Sequence, residues 1–128
     1  MGKFVIKGTN TGYTFNLVAG NGQVIATSQV YSTLSSCKDG IESVKTNAPI
    51  ANIEDQTKEG YTTETNPKFE IYTDKAGEYR FRLTAKNGQN IAASEGYSQL
   101  SSCTNGIESV RTNAADATIE DTTTTTNN

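Results

Sequence analysis

One pattern occurs twice in this chain, and that duplication limits its folding more than any other feature. Asn21-Gly22-Gln23 through Ala48 recurs as Asn87-Gly88-Gln89 through Ala114. Inside it, Leu34-Ser35-Ser36-Cys37 returns as Leu100-Ser101-Ser102-Cys103, and Gly40-Ile41-Glu42-Ser43-Val44 as Gly106-Ile107-Glu108-Ser109-Val110. A duplicated unit of this size is one supersecondary element used twice, each copy supplying an apolar face for the other to cover. The 128 residues suit one compact domain, or two small halves sharing a core.

The hydrophobic period changes in the same order in both copies. Phe4 and Ile6 alternate with Lys3, Val5 and Lys7, and Tyr13, Phe15, Leu17 and Ala19 alternate with Thr14, Asn16 and Val18. Period two with aromatic and β-branched residues predicts half-buried strands. Gly20-Asn21-Gly22 predicts a hairpin turn made from residues that tolerate left-handed backbone, with a third strand from Gln23 to about Val30. The period then becomes helical: Leu34, Cys37, Ile41, Val44 and Ala48 share one face, and Ser32 is the expected N-cap. Gly40 inside the helix costs about 1 kcal/mol against alanine, which predicts close packing there. Pro49 ends the helix and Ile50 to Asp55 reads as a fourth strand, with Ile53 inward.

Phe69, Ile71, Tyr79, Phe81, Leu83, the helix face Leu100, Cys103, Ile107, Val110 and Ala114, and Ile119 repeat the series, with Ser98 the expected cap. The expected fold is α+β: two tandem βββαβ repeats in one mostly antiparallel sheet, with two helices on one face. The expected boundaries are residues 1–55, a polar linker 56–67, residues 68–121, and a solvated threonine-rich tail 122–128. The two repeats would form a single structural domain with an internal pseudo-twofold relation, and the chain would be a monomer.

Gly77 to Leu83, Asn87 to Ala92, Ser94 to Tyr97 and Asn105 to Val110 together resemble the YegP-like family, small bacterial and archaeal proteins of unknown function. The resemblance covers both repeats. It implies that the last strand of each βββαβ unit is exchanged onto the other unit, and that members with a single repeat dimerise into the same arrangement. It carries no catalytic residues. The first repeat departs from the pattern, with Thr14 and Asn16 where the second has Arg80 and Arg82, and Val30 where it has Gly96. These differences are the expected places for any function.

Composition removes several classes. The chain has no histidine, so the commonest general base and metal ligand is missing. Its two cysteines are not in metal spacing, and no catalytic, metal or cofactor site is expected. Lys+Arg 11 against Asp+Glu 14 gives −3, without the basic balance of a polyanion binder. Apolar runs are too short to span a bilayer and the N-terminus has no signal pattern, so the expected location is cytoplasmic, with reduced cysteines.

Three groups of side chains are the candidates for chemistry. Cys37 and Cys103 lie on the apolar helix faces without a histidine, which reads as buried small hydrophobes rather than nucleophiles. Tyr31 and Tyr97 read as staples at the helix starts, and the adjacent serines lack a base. Glu70, Tyr72, Arg80, Arg82 and Thr84 should project from the helix-free face of repeat two as a tentative binding surface. The expected function is non-enzymatic: binding of a protein partner through the open sheet face or the strand edges. The alternative is single-stranded nucleic acid held by arginines and tyrosine on a sheet.

Overall fold

A computed structural model describes residues 2–123. Repeat one comprises β1 (Lys3–Gly8), β2 (Tyr13–Val18), β3 (Val24–Thr27), α1 (Leu34–Asn47), a short 3-10 turn (Ala48–Ile50) and β4 (Asn52–Asp55). Repeat two comprises β5 (Lys68–Thr73), β6 (Tyr79–Thr84), β7 (Asn90–Ala93), α2 (Leu100–Ala114) and β8 (Thr118–Asp121). All eight strands form one sheet in the order β4-β5-β6-β7-β3-β2-β1-β8.

That order contains the strand exchange. β4, made by repeat one, pairs in parallel with β5 of repeat two, and β8 pairs in parallel with β1. The remaining neighbours are antiparallel, and the two repeats meet at a short β3–β7 seam where Thr27 opposes Ala93. Each helix therefore leads from its own repeat to a strand at the far edge of the other.

The inward faces hold the core. Phe4, Ile6, Phe15 and Leu17 are fully buried, as are Phe69, Phe81 and Leu83, with Ile71 nearly so. The helix stripes Cys37, Ile41, Val44 and Cys103, Ile107, Val110 close over them. Phe4 meets Phe15 edge-on at 5.6 Å between centroids, and Phe69 meets Phe81 the same way at 5.8 Å, the arrangement that ring quadrupoles favour.

Gly40 and Gly106 answer the expectation of close packing. A Cβ at Gly40 would collide with the Tyr31 phenol, and one at Gly106 would lie 2.6 Å from the Tyr97 hydroxyl and 3.0 Å from the Phe81 ring. Each tyrosine thus lies over the helix with its hydroxyl end at the glycine. Tyr31 has little room to retreat, since its ring stacks on Phe15 at 6.3 Å. Gly40→Ala should consequently lower stability by roughly 1–3 kcal/mol despite alanine's better helix propensity, measured by urea denaturation.

Several local expectations are corrected. Thr33, not Ser32, caps α1, its hydroxyl accepting the Ser36 N–H at 3.0 Å. α2 starts after Gln99, with no side-chain cap from Ser98. The reason is upstream: backbone bonds of 2.7 Å in both directions between Tyr13 and Tyr31 hold the chain to the sheet, so the helix begins one residue later. β3 ends at Thr27 rather than Val30, because Ser28 turns inward and its hydroxyl accepts the Phe15 N–H at 2.9 Å. In the two Asn-Gly hairpins Gly22 and Gly88 are left-handed, at φ 89° and 86°, and the preceding asparagines are not.

Ile53 is in register with inward Phe69, yet lies on an edge strand and remains 36% exposed. Thr122 and Thr123, expected in the tail, fold onto the end of the sheet. The Thr122 hydroxyl donates to Ile6 O at 2.5 Å and the Thr123 N–H to Asp121 Oδ1 at 2.9 Å. The rest of the expected tail, 124–128, lies outside the described residues.

Candidate functional site: the helix-free face of the sheet

Residues that alternate with the core form the outer face, and its two halves are built differently. In the half built on repeat two, the exchanged β4 with β5 and β6 places Glu54, Lys68, Glu70, Tyr72, Arg80, Arg82 and Thr84 on this side. Register puts Glu54 beside Glu70 and Glu70 beside Arg82. Two carboxylates set side by side need intervening cations, and Lys68 and Arg82 supply them. Lys68 Nζ bonds Glu54 Oε1 at 2.7 Å and Glu70 Oε2 at 3.2 Å, while Arg82 Nε bonds Glu70 Oε1 at 2.5 Å. The Arg82 guanidinium also lies 4.4 Å from the centroid of the Tyr72 ring, a cation–π contact. Arg80 Nε bonds Asp74 Oδ2 at 2.6 Å, and that bond, the largest of several influences, holds the Asp74 carboxyl below its usual range.

The expected binding residues therefore share one face, but each arginine is already engaged. Thr84 is buried, because the linker crosses it: its hydroxyl donates to Asn66 Oδ1 at 2.8 Å and accepts the Lys68 N–H at 3.2 Å. The linker also reaches Glu54, whose Oε1 accepts the Glu64 N–H at 2.7 Å. A phosphate approaching Arg82 would have to displace Glu70, and one approaching Arg80 would have to displace Asp74.

Glu54 is the central group of this half, with only 2% of its side chain exposed. Burial alone would push its carboxyl up. Hydrogen bonds from Gln56, Lys68 and the Glu64 backbone, with the Lys68 charge, outweigh burial and hold it at about 2 against an ordinary 4.5. A depressed carboxyl stabilises the fold fully above its unfolded value and loses that effect as pH falls toward the folded one. Stability should therefore drop between pH 4.5 and about 2. The loss, discounted for screening, is roughly 1–3 kcal/mol. Acid titration followed by circular dichroism should show this slope flattened in Glu54→Gln.

In repeat one the same positions carry Lys3, Val5, Lys7, Thr14, Asn16 and Val18, with Glu120 of β8 in place of Glu54. Lys3 Nζ bonds Glu120 Oε1 at 2.9 Å, but both side chains are about half exposed. Asn16 Oδ1 accepts the Thr27 hydroxyl at 2.9 Å. Val24, in register with Val18, is 45% exposed. This half thus exposes Val24 next to half-buried Val18, with Lys3 opposite Val18 and Val5 opposite Asn16. In the other, the charged side chains pair with one another and the linker covers Thr84 and Glu54.

The Val30/Gly96 difference is a matter of packing. Val30 lies against Gly12, whereas at the matching place in repeat two the bulk is reversed, and the Glu78 side chain occupies the space that a Cβ on Gly96 would need. A small residue faces a large one in each repeat, with the order exchanged.

Cys37 and Cys103 are free and fully buried. Burial, then the Asp55 charge, pushes the Cys103 thiol up to about 11; burial, then Asp121, also raises Cys37. Both are held as thiols, the unreactive form. Among the described residues no group of three or more His, Cys, Asp or Glu is placed to hold a metal ion. Nor is any helix among them long and apolar enough to cross a membrane.

Sequence reasoning missed Glu54 and Lys68. Glu54-Asp55 reads as adjacent carboxylates on opposite sides of a strand, a poor metal or acid/base pair, and Lys68 as the first residue after the linker. A signal was nevertheless present. Both copies carry Lys-Phe at the first strand and Ile-Glu-Asp at the last, and the exchange brings these together twice, as Glu54–Lys68 and Glu120–Lys3.

The comparisons with known proteins agree with this architecture. A family described as a domain of unknown function, DUF1508, matches residues 9–55 and again 74–121. A UPF0339 protein of Bordetella pertussis is 40% identical over 120 residues, covering 94% of this chain and 95% of that protein. The UPF0339 protein YegP of Yersinia pestis is 37% identical over 122 residues, covering 94% and 96%. The solution structure of YegP from E. coli, a protein of unknown function, superimposes with a TM-score of 0.77 at 32% identity, covering 94% of this chain and 92% of that one. Two copies of the matching domain, in one eight-stranded sheet with exchanged terminal strands, place this chain in the DUF1508 family of UPF0339 proteins, to which YegP belongs.

Proposed function

We propose that the chain is a non-enzymatic, cytoplasmic protein-binding module whose working surface is the helix-free face of the sheet in repeat one. The observation that supports this reading is the contrast between the halves. One half satisfies its own charges and is partly covered by the linker, while the other exposes Val24 beside the half-buried Val18, with half-buried Val5, Lys3 and Lys7 on β1 beyond it. Apolar surface rimmed by polar groups is the usual character of a protein contact. Two buried free thiols are in keeping with a reducing compartment. The test is a photo-crosslinking side chain at Val24, with a control at exposed Glu42 on α1, in native extract. A discrete protein adduct from Val24 that survives RNase and is absent from Glu42 supports the reading. Equal labelling from both positions overturns it.

Single-stranded nucleic acid is the second reading, supported by the Arg82–Tyr72 stack on the helix-free face. Here Arg80→Ala/Arg82→Ala should abolish retention of labelled oligonucleotide in filter binding. Unchanged weak retention removes this reading.

A further inference from the structure

The dipeptide Asn-Gly occurs at Asn21, Asn87 and Asn105, twice in matching hairpin turns with different neighbours and once inside a helix. In this dipeptide the glycine nitrogen attacks the asparagine side-chain carbonyl carbon, and ammonia leaves with the side-chain nitrogen. A water molecule then opens the succinimide to aspartate or isoaspartate. Glycine favours ring closure because it has no side chain to obstruct the attack. The requirement that remains is freedom of the backbone between the two residues.

The geometry points to Asn21 as a built-in deamidation site, followed by Asn87, with Asn105 protected. Asn21 is exposed at the β2–β3 turn, and a Cβ placed on Gly22 would have no neighbour within 4 Å. Two hydrogen bonds restrain the turn: Gly22 N–H to Ala19 O at 2.9 Å and Gln23 N–H to Asn21 Oδ1 at 3.0 Å.

The Asn87 turn has the matching pair, Gly88 N–H to Ala85 O at 2.9 Å and Gln89 N–H to Asn87 Oδ1 at 3.0 Å. It is restrained further by the linker. A Cβ on Gly88 would come within 3.3 Å of the Asn66 amide, and Asn66 is itself held by the Thr84 hydroxyl at 2.8 Å. The Asn87 amide also donates to Gln89 Oε1 at 3.4 Å.

Asn105 is exposed, so solvent access is not what protects it. It lies in α2, where Gly106 is buried beneath Tyr97, and bringing the glycine nitrogen to the side chain would break helical hydrogen bonds.

Reaction at Asn21 replaces an amide by a carboxylate. On the isoaspartate route it also reroutes the main chain through Cβ and Cγ, leaving the α-carboxylate as the branch and lengthening the chain by one atom at the turn that sets the β2–β3 register. The full chain, incubated at mildly alkaline pH and analysed by peptide mapping with enzymatic isoaspartate methylation, tests this. Conversion should be fastest at Asn21, about fivefold slower at Asn87 because of its two added contacts, and slowest at Asn105. In urea the three rates should converge, and Asn66→Ala in the folded chain should raise the Asn87 rate toward that of Asn21. Equal rates in the folded chain, Asn87 or Asn105 ahead of Asn21, or no conversion until the chain is unfolded would each overturn the assignment.

Discussion

Lys68→Met should be among the most destabilising single substitutions on the outer face of this sheet, costing about 3 kcal/mol or more in urea denaturation. Among the described residues Lys68 is the only cation bonded to Glu54, and it also holds Glu70. Methionine fills a similar volume, so the loss would not come from a cavity. It would come from a nearly enclosed carboxylate left with the Gln56 amide and the Glu64 N–H but no countercharge. Removing one member of a buried pair costs far more than the pair contributes over an apolar replacement. The matching change in the other half gives the internal control. Lys3 and Glu120 are about half exposed, and an exposed pair is worth about 0–1 kcal/mol, so Lys3→Met should have little effect. Glu54→Gln combined with Lys68→Met should recover part of the lost stability, because the uncompensated charge is then gone.

How much of this was legible in the sequence depends on the range of the interaction. The strands, the helix stripe from Leu34 to Ala48 and the close packing at Gly40 are encoded within a few residues of one another, and period alone finds them. The outward direction of Arg80 and Arg82 also follows from alternation. Their engagement does not. Arg82 meets Glu70 across an antiparallel ladder, and Lys68 meets Glu54 across a parallel one that exists only because β4 leaves its own repeat. The N-cap fell between two adjacent residues that can both cap, Ser32 and Thr33, and the Tyr13–Tyr31 pairing decided between them. The Val30/Gly96 difference suggested function until its reciprocal partners, Gly12 and Glu78, were seen to exchange bulk across the same contact.

Truncation after Ala117 is the second change with a large expected effect. It removes β8, which belongs by sequence to repeat two but completes the sheet beside β1. The Lys3–Glu120 bond, the Thr118 N–H to Gly2 O bond at 3.3 Å and the bond from the Thr122 hydroxyl to Ile6 O all go with it. So does the edge cover over Phe4 and Ile6, both otherwise fully buried. Loss of the four paired positions of β1 and β8, at about 1 kcal/mol per backbone hydrogen bond, puts the cost at roughly 4 kcal/mol before any apolar exposure is counted. The damage should appear in the repeat that was left intact. β5, with β4 still paired along its full length, should be the less affected first strand.

Native-state hydrogen exchange on the truncated chain tests the central claim, that each repeat is completed by the other's last strand, most directly. The account predicts that β1 amides of repeat one lose protection first and furthest, while β5 amides of repeat two stay protected to a higher opening free energy. Early loss of protection in β5, with β1 unchanged, would contradict it.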